Sequence, residues 1–583
     1  MTTRSCARRV LSFCLAAALL LPLASCQKKT GKDKEFAYPI DAAPECLDPP
    51  IAQGDSALLV LTNCFEGLVR AQGPLIPASD EASAGGATAS AASQTTSARE
   101  TILPGAAFRW EISPDGLVYT FYLRRDSEWH LLKDAEELLG TEAYTAFNRH
   151  VRAQDFVFAF RRALDPVTGA PNAPLLYPIQ GARQIHEGRQ PTEALGAEAL
   201  DDFTLRITLE EPSSGFLSAL TQPVAFPCNQ AFFEATKGRY GLTVEYLLCN
   251  GPFYLSRWEP GNLRLRRHDG YRGEWEVSPS AVNFPVQPDL SEQLRLLRAE
   301  NGYAAMLIPA DGTGQPGELA QAAQADGAMV TALQTATLAL LFRCETLPLS
   351  IPSLRGALCA AIQPEHLNLT ALEGFLPAAC QVGGASFRQL AGPARGIQPD
   401  QKRAKLLWEE AMAALRTETG QTEPKVALTL LCLSENERDM RTLLQDWQNR
   451  FGLPLQISIE AVPAEELARR VRNGEYDIAL APVRAGSQAM DFLQNFAGSG
   501  GQENLTGYRS AVMDGLLQNI AEHGDQTETA RGCLAAEEHL LQNGVIYPLR
   551  PLESYLLTAA GVSWLALSSA GDVLRFQQAE WLK

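Results

Sequence analysis

Gly54-Asp55-Ser56 sets a hydroxyl beside a carboxylate, and a serine so placed could be the nucleophile of a hydrolytic reaction. Such a serine needs a base within hydrogen-bond reach to take its proton. None of the seven histidines has an aspartate three residues ahead of it, and no G-x-S-x-G occurs. The same three residues stand just before the apolar run that begins at Ala57, where Ser or Asp would cap a helix. Carboxylates are plentiful, 67 Asp and Glu in all, yet no spacing singles out an acid/base pair. No two of the twelve cysteines are spaced C-x-x-C, and the histidines form no H-x-x-x-H. Neither a zinc site nor any other cofactor is therefore expected.

One cysteine has a chemical context of its own. Arg4, Arg8 and Arg9 give a positive start, and Val10 to Leu20 is an apolar run broken only by Ser12. The run is too short for a comfortable membrane span and has the length of a signal h-region. It ends in Leu23-Ala24-Ser25-Cys26, which resembles the lipobox of bacterial lipoproteins, whose cysteine thiol takes a diacylglycerol. Residues 1–25 are thus expected to be a signal peptide, Cys26 the lipidation site, and the polar residues 26–35 a flexible tether. This gives an extracytoplasmic address on the cell membrane, with lipid as the anchor, in a compartment that permits disulfides. With Cys6, Cys14 and Cys26 set aside, nine cysteines remain. Cys46 with Cys64, and Cys228 with Cys249, are close enough in sequence to propose as pairs, and buried free thiols are the other reading.

The body must position whatever chemistry there is. The full sequence of 583 residues allows two to four domains, and 46% hydrophobic with 20% charged residues is ordinary globular composition. A net charge of −17 argues against a nucleic-acid partner, because phosphate binding draws on an excess of Lys and Arg. Residues 78–100 are Ala, Ser, Gly and Thr with almost nothing large, and read as a surface-loop insertion. Met440, Leu443, Leu444, Trp447 and Phe451 recur at helical spacing before Gly452. Strand-like runs at 425–433, 455–461 and 476–481, with helices between them, give β-α-β-α-β, the pattern of an α/β lobe with a mostly parallel sheet. Ser113-Pro114-Asp115-Gly116 is a turn that joins a β-hairpin with Trp110 and Tyr119 on its arms.

Several stretches carry a likeness in the right order. They are Cys46-Leu47-Asp48-Pro49, Asn63 to Leu68, Trp110 to Gly116 with Tyr119 to Arg124, and Ala153 to Phe156 with Arg161-Arg162 and Asp165-Pro166. Asn250 to Phe253 with Trp258, Leu354 to Leu358, Ala404 to Ala411, Asn504 to Tyr508 and Ile546 to Leu549 follow. Together they resemble the oligopeptide- and dipeptide-binding proteins of ABC importers, solute-binding protein family 5, over nearly all of the mature chain. The resemblance implies the periplasmic-binding-protein type II fold, an α/β fold of two hinged lobes with an extra domain inserted in the first. Mapped here, the first lobe takes 36–75, 205–284 and 548–583, the extra domain 76–204, and the second lobe 285–547. It implies a binding protein rather than an enzyme, a monomer that closes on a peptide or similar small solute and docks on an ABC permease. A surface sensor or adhesin on the same fold, and a secreted hydrolase using Ser56, are the rival readings.

The family's peptide binders place a tryptophan and, three residues later, an aspartate after the strand matching 476–481, and that carboxylate holds the ligand's ammonium. Here Val483 and Gly486 stand at those places, and Arg484 adds a positive charge. The expected ligand strip is therefore Gln53, Gly54, Asp55 and Ser56 on one lobe, and Gly486, Ser487, Gln488 and Asp491 on the other. Trp129 and Tyr508 are candidate apolar walls, for which core packing is the alternative.

Overall fold

The computed structural model describes residues 35–582 except 73–74, 77–100, 133–134, 214, 274, 300–301, 310–315, 368, 370–371, 373, 378–379, 383–384, 485–488, 495, 497–503, 523–525 and 568–572. The signal peptide, Cys26, the tether up to residue 34, the segment 78–100, and Gly486, Ser487 and Gln488 lie outside the described residues.

The first described strand joins a four-stranded sheet, and residues near the carboxyl end pack into that sheet's core. Strand Glu35–Ala37 lies parallel to Ala281–Pro285, which pairs antiparallel with Asn262–Arg267 and through it joins Phe253–Glu259. Phe36 stacks on Trp581 with ring centroids 5.6 Å apart, and shares its cluster with Phe284 and Phe576. The helix Asp55–Cys64 lays Ala57, Val60, Leu61 and Cys64 into the same core. These positions follow the three-to-four residue spacing of one helix face.

A second four-stranded sheet, in the order Ala107–Ile112, Val118–Leu123, Thr204–Thr208, Ala197–Asp201, is antiparallel throughout. Its first hairpin turns at Ser113–Gly116 as expected, with Gly116 at φ 72° and its N–H donating to the Ser113 carbonyl at 2.9 Å. The helix Ala153–Leu164 covers this sheet, and its Phe156, Phe160 and Leu164 run into the first core without a break. The boundary expected at 204/205 falls inside a strand of this sheet. Thr204–Thr208 hydrogen-bonds to both neighbours in this sheet, so the inserted unit cannot end before residue 208.

The third sheet has six strands in the order Ala305–Ile308, Ile546–Thr558, Met329–Phe342, Ile478–Arg484, Val426–Leu433, Leu455–Val462. The last three run parallel, matching the expected β-α-β-α-β stretch. The other pairings are antiparallel, so the parallel part is only half of the sheet. The two long strands form a ribbon that passes between cores. Leu333 and Leu556 are buried in the first core; Leu338, Leu340, Phe342, Leu549 and Leu552 are buried in another, under the helices Pro352–Ala360, Gln401–Thr419 and Glu437–Phe451. Ala339, Leu341 and Ile546 face a third core, under Ala511–Glu522 and Gln526–Gln542. Alternation along one strand thus feeds a helical layer on each side.

The change of core coincides with a register shift between Gln334 and Ala336, opposite Glu553 and Leu552. The boundaries expected at 284/285 and 547/548 lie at other positions than this change of core. The helix Leu290–Leu297 and strand Ala305–Ile308 pack with Leu557 on the first-core side, and Ile546–Leu552 belongs to the other side. The pairing that decides it joins residues far apart in the chain, which local pattern does not reveal.

Candidate functional site

The three parallel strands end on one edge of the six-stranded sheet, and the register says which edge. Arg484 pairs with Ala336, the first residue past the register shift, so the carboxyl ends point at the place where the ribbon leaves one core for another. Ligands of open α/β sheets bind outside the carboxyl ends of such strands. Three helices start from those ends. Ser434–Asn436 leads into Glu437–Phe451, Pro463 caps Ala464–Asn473, and residues 485–488 lead into Ala489–Gln494. Helix amino termini offer unpaired N–H groups and a positive dipole end to whatever lies in front of them.

The expected strip on the first lobe is exposed. Gln53, Gly54 and Asp55 face solvent and Ser56 is half-buried. Gly54, at φ 87°, takes the N-cap place with no side-chain cap bond, so Asp55 is the first helical residue rather than the cap. Asp55 makes no side-chain hydrogen bond or ion pair among the described residues, and remains available to a ligand. Ser56 has no histidine partner among them either. On the other side Asp491 lies in the helix Ala489–Gln494. Tyr508 is half-buried in the third core, with its hydroxyl 3.0 Å from His539 Nε2. No described contact brings it to Gln53–Ser56.

Trp129 is corrected from cleft wall to core. Its side chain is 1% exposed, and its indole N–H donates to Asp155 Oδ2 at 3.2 Å. The Arg152 N–H donates to the same oxygen at 2.9 Å, yet burial still pushes the Asp155 carboxyl up to about 6. The structure places the cysteines of both expected pairs in other company, and all four stand as free thiols. Cys46 Sγ accepts from the Asp48 N–H at 3.3 Å, and Cys228 Sγ from Arg162 Nη1 at 3.4 Å. Both thiols flank the buried Asp48–Arg162 ion pair, while Cys64 and Cys249 meet elsewhere.

Sequence reading missed two groups at the strand ends. Arg550, on the ribbon, holds Asp439 of the first turn of Glu437–Phe451 at 3.0 Å. Asn436, just before that helix, is buried with its side-chain oxygen unbonded among the described residues. The Arg550–Asp439 pairing spans more than a hundred positions, so no local motif announces it.

Sequence comparison decides the relationship. The profile of the bacterial extracellular solute-binding proteins, family 5 (middle region), matches residues 101–504. The chain belongs to that family. Its members are binding proteins and not enzymes, and they work outside the cytoplasm. This family-5 chain is 23% identical over 531 residues to the dipeptide-binding protein DppE of Bacillus subtilis, covering 89% of this chain and 87% of that one. It superposes on the substrate-binding domain of an oligopeptide ABC transporter from Bacillus anthracis with a TM-score of 0.67 at 20% identity, covering 94% of this chain and 99% of that one. Listeria monocytogenes OppA bound to peptide gives 0.66 at 20% identity, with coverage of 94% and 99%. The fold is the periplasmic-binding-protein type II fold.

Proposed function

We propose that this family-5 protein is an extracytoplasmic lipoprotein that captures a peptide or similar small solute between two lobes and delivers it to the permease of an ABC importer. The observation that carries the reading is the ribbon Met329–Phe342 with Ile546–Thr558, which changes cores at its register shift. Two cores joined by two strands can rotate about those strands and close on a ligand. The carboxyl strand ends and three helix starts then form one wall, and Gln53–Ser56 contributes to the other. Relatives described as dipeptide- and oligopeptide-binding proteins support the ligand class.

The grip on the ligand departs from the family's peptide binders. Val483, at the place of their tryptophan, is 3% exposed and sits in the third core, paired with Thr337 in the sheet. With Gly486 at the place of the aspartate, the second lobe lacks the usual carboxylate for an α-ammonium. Titration calorimetry with peptide libraries, free and N-acetylated, tests both statements. Binding of some peptides with little loss on acetylation is expected. A loss of ~2 kcal/mol or more, the scale of truncating a buried charge pair, would restore an amine anchor. No binding by any peptide would overturn the ligand class.

The anchor has its own test. Cys26→Ser should leave a folded protein that moves wholly to the aqueous phase in detergent partition. No helix among the described residues is long and apolar enough to cross a membrane. Continued membrane fractionation of the variant would refute lipidation at Cys26.

A further inference from the structure

Cys64 closes the helix Asp55–Cys64, and Cys249 stands just before the Asn250-Gly251 bend that leads into strand Phe253–Glu259. The two segments are laced together. The Gly251 N–H donates to the Cys64 carbonyl at 2.8 Å. The Asn250 side chain donates to the Glu66 carbonyl at 2.9 Å and accepts from the Glu66 N–H at 3.1 Å. A Cβ on Gly251 would stand 2.6 Å from the Cys64 carbonyl carbon, so only glycine permits this approach. Cys64 is 0% exposed and Cys249 2%. Both side chains are buried in the same core cluster, and the Cys249 thiol is the neighbouring group that acts on the Cys64 thiol.

We propose that Cys64 and Cys249 form a disulfide in the exported protein. The two thiols exchange with a disulfide of an external oxidant, either a small-molecule disulfide or one carried by an oxidoreductase. One S–S bond forms between Cys64 and Cys249, the oxidant's S–S bond breaks, and its two sulfurs leave as thiols carrying the two protons. The compartment in which the family works permits such bonds. Burial holds the Cys64 thiol well above its ordinary range. Thiolate is the attacking species, so exchange belongs to the time before this region packs, and the finished bond is shielded from reductants.

The crosslink closes a loop that contains the whole inserted four-stranded sheet. It acts mainly by restricting the unfolded chain. In the folded protein it ties the far end of the helix whose first turn carries Asp55 to the segment bridged with His130, whose N–H donates to the Cys249 carbonyl at 2.8 Å. The competing state is two buried thiols packed as small apolar groups.

The test uses the full chain, purified, unfolded, and refolded in a mixture of oxidised and reduced glutathione. It is then denatured in an alkylating reagent without reductant, digested and weighed. The expected product links the Cys64 peptide to the Cys249 peptide, with a mass lower by two hydrogens. Alkylation of both cysteines, or a link from either to another cysteine, overturns the proposal. Cys64→Ala and Cys249→Ala provide a second measurement. Each should lower the thermal midpoint by several degrees, and the double variant should fall no further than the lower of the two. Reduced, refolded wild type should match them. Equal midpoints for oxidised and reduced wild type also overturn it.

Discussion

Glu537→Ala should lower the free energy of unfolding by about 3–5 kcal/mol, the cost of removing one partner of a buried ion pair. Glu537 is fully buried in the helix Gln526–Gln542, where Oε1 accepts from the Phe375 and Leu376 N–H groups, each at 2.9 Å. Its other oxygen accepts from Arg388 Nη1 at 2.7 Å, and Arg388 Nη2 completes a two-pronged contact. Burial raises the Glu537 carboxyl, and the Arg388 guanidinium opposes that shift. Alanine leaves a buried cation and two buried N–H groups without their acceptor. Glu537→Gln keeps an oxygen for the two N–H groups and loses the charge, so it should fall between wild type and alanine. Urea titration of the three proteins measures this. Equal midpoints would show that the pair contributes nothing net.

Trp129→Ala should cost a similar ~3–5 kcal/mol, because a large buried ring leaves a cavity. The pH profile identifies what the ring does besides fill space. Asp155 has its carboxyl raised to about 6, first by burial, against ~3.9 for an unfolded chain. A group raised in this way contributes stability that is fully present below pH 4 and is lost as the pH rises through 6, about 2–3 kcal/mol in all. Asp155→Asn should remove that slope from the stability curve. Trp129→Phe keeps most of the packing but takes away one N–H donor to the carboxylate, so the slope should move to higher pH. Ligand affinity should not change in Trp129→Phe. An affinity loss with an unmoved slope would return Trp129 to the cleft.

Much of the second-lobe architecture was legible because its signals are local. Gly452 ends the helix at Phe451 with φ 71°, and Leu455 to Val462 alternates as a half-buried strand. The Ser113–Gly116 turn likewise carries its own backbone chemistry. What escaped was set by pairing across long stretches. The register shift at Gln334/Ala336 makes a crossing point only because Glu553 and Leu552 lie opposite. Trp129 looked like an available aromatic until Asp155, on a helix in the same core, took its N–H. Sequence proximity suggested Cys46 for Cys64, whereas Cys46 lies against Asp48 and the chain just past Cys249 reaches the Cys64 carbonyl through the Gly251 N–H. At the strip, the exposure of Asp55 was legible because a polar turn before an apolar helix stays at the surface.

The stack of Phe36 on Trp581 also fixes an order of events. Strand Glu35–Ala37 gains its partner only when Ala281–Pro285 is present, and its ring gains its neighbours only when Phe576 and Trp581 arrive. A chain threaded outward from its amino end therefore spends most of its passage with the first lobe unfinished, its earliest apolar residues waiting for the last. Contacts of such long range are slow to form, and they favour a chain that crosses the membrane before it folds. The lobe that the first strand begins is therefore closed by the last strands to emerge, and binding waits for the whole chain.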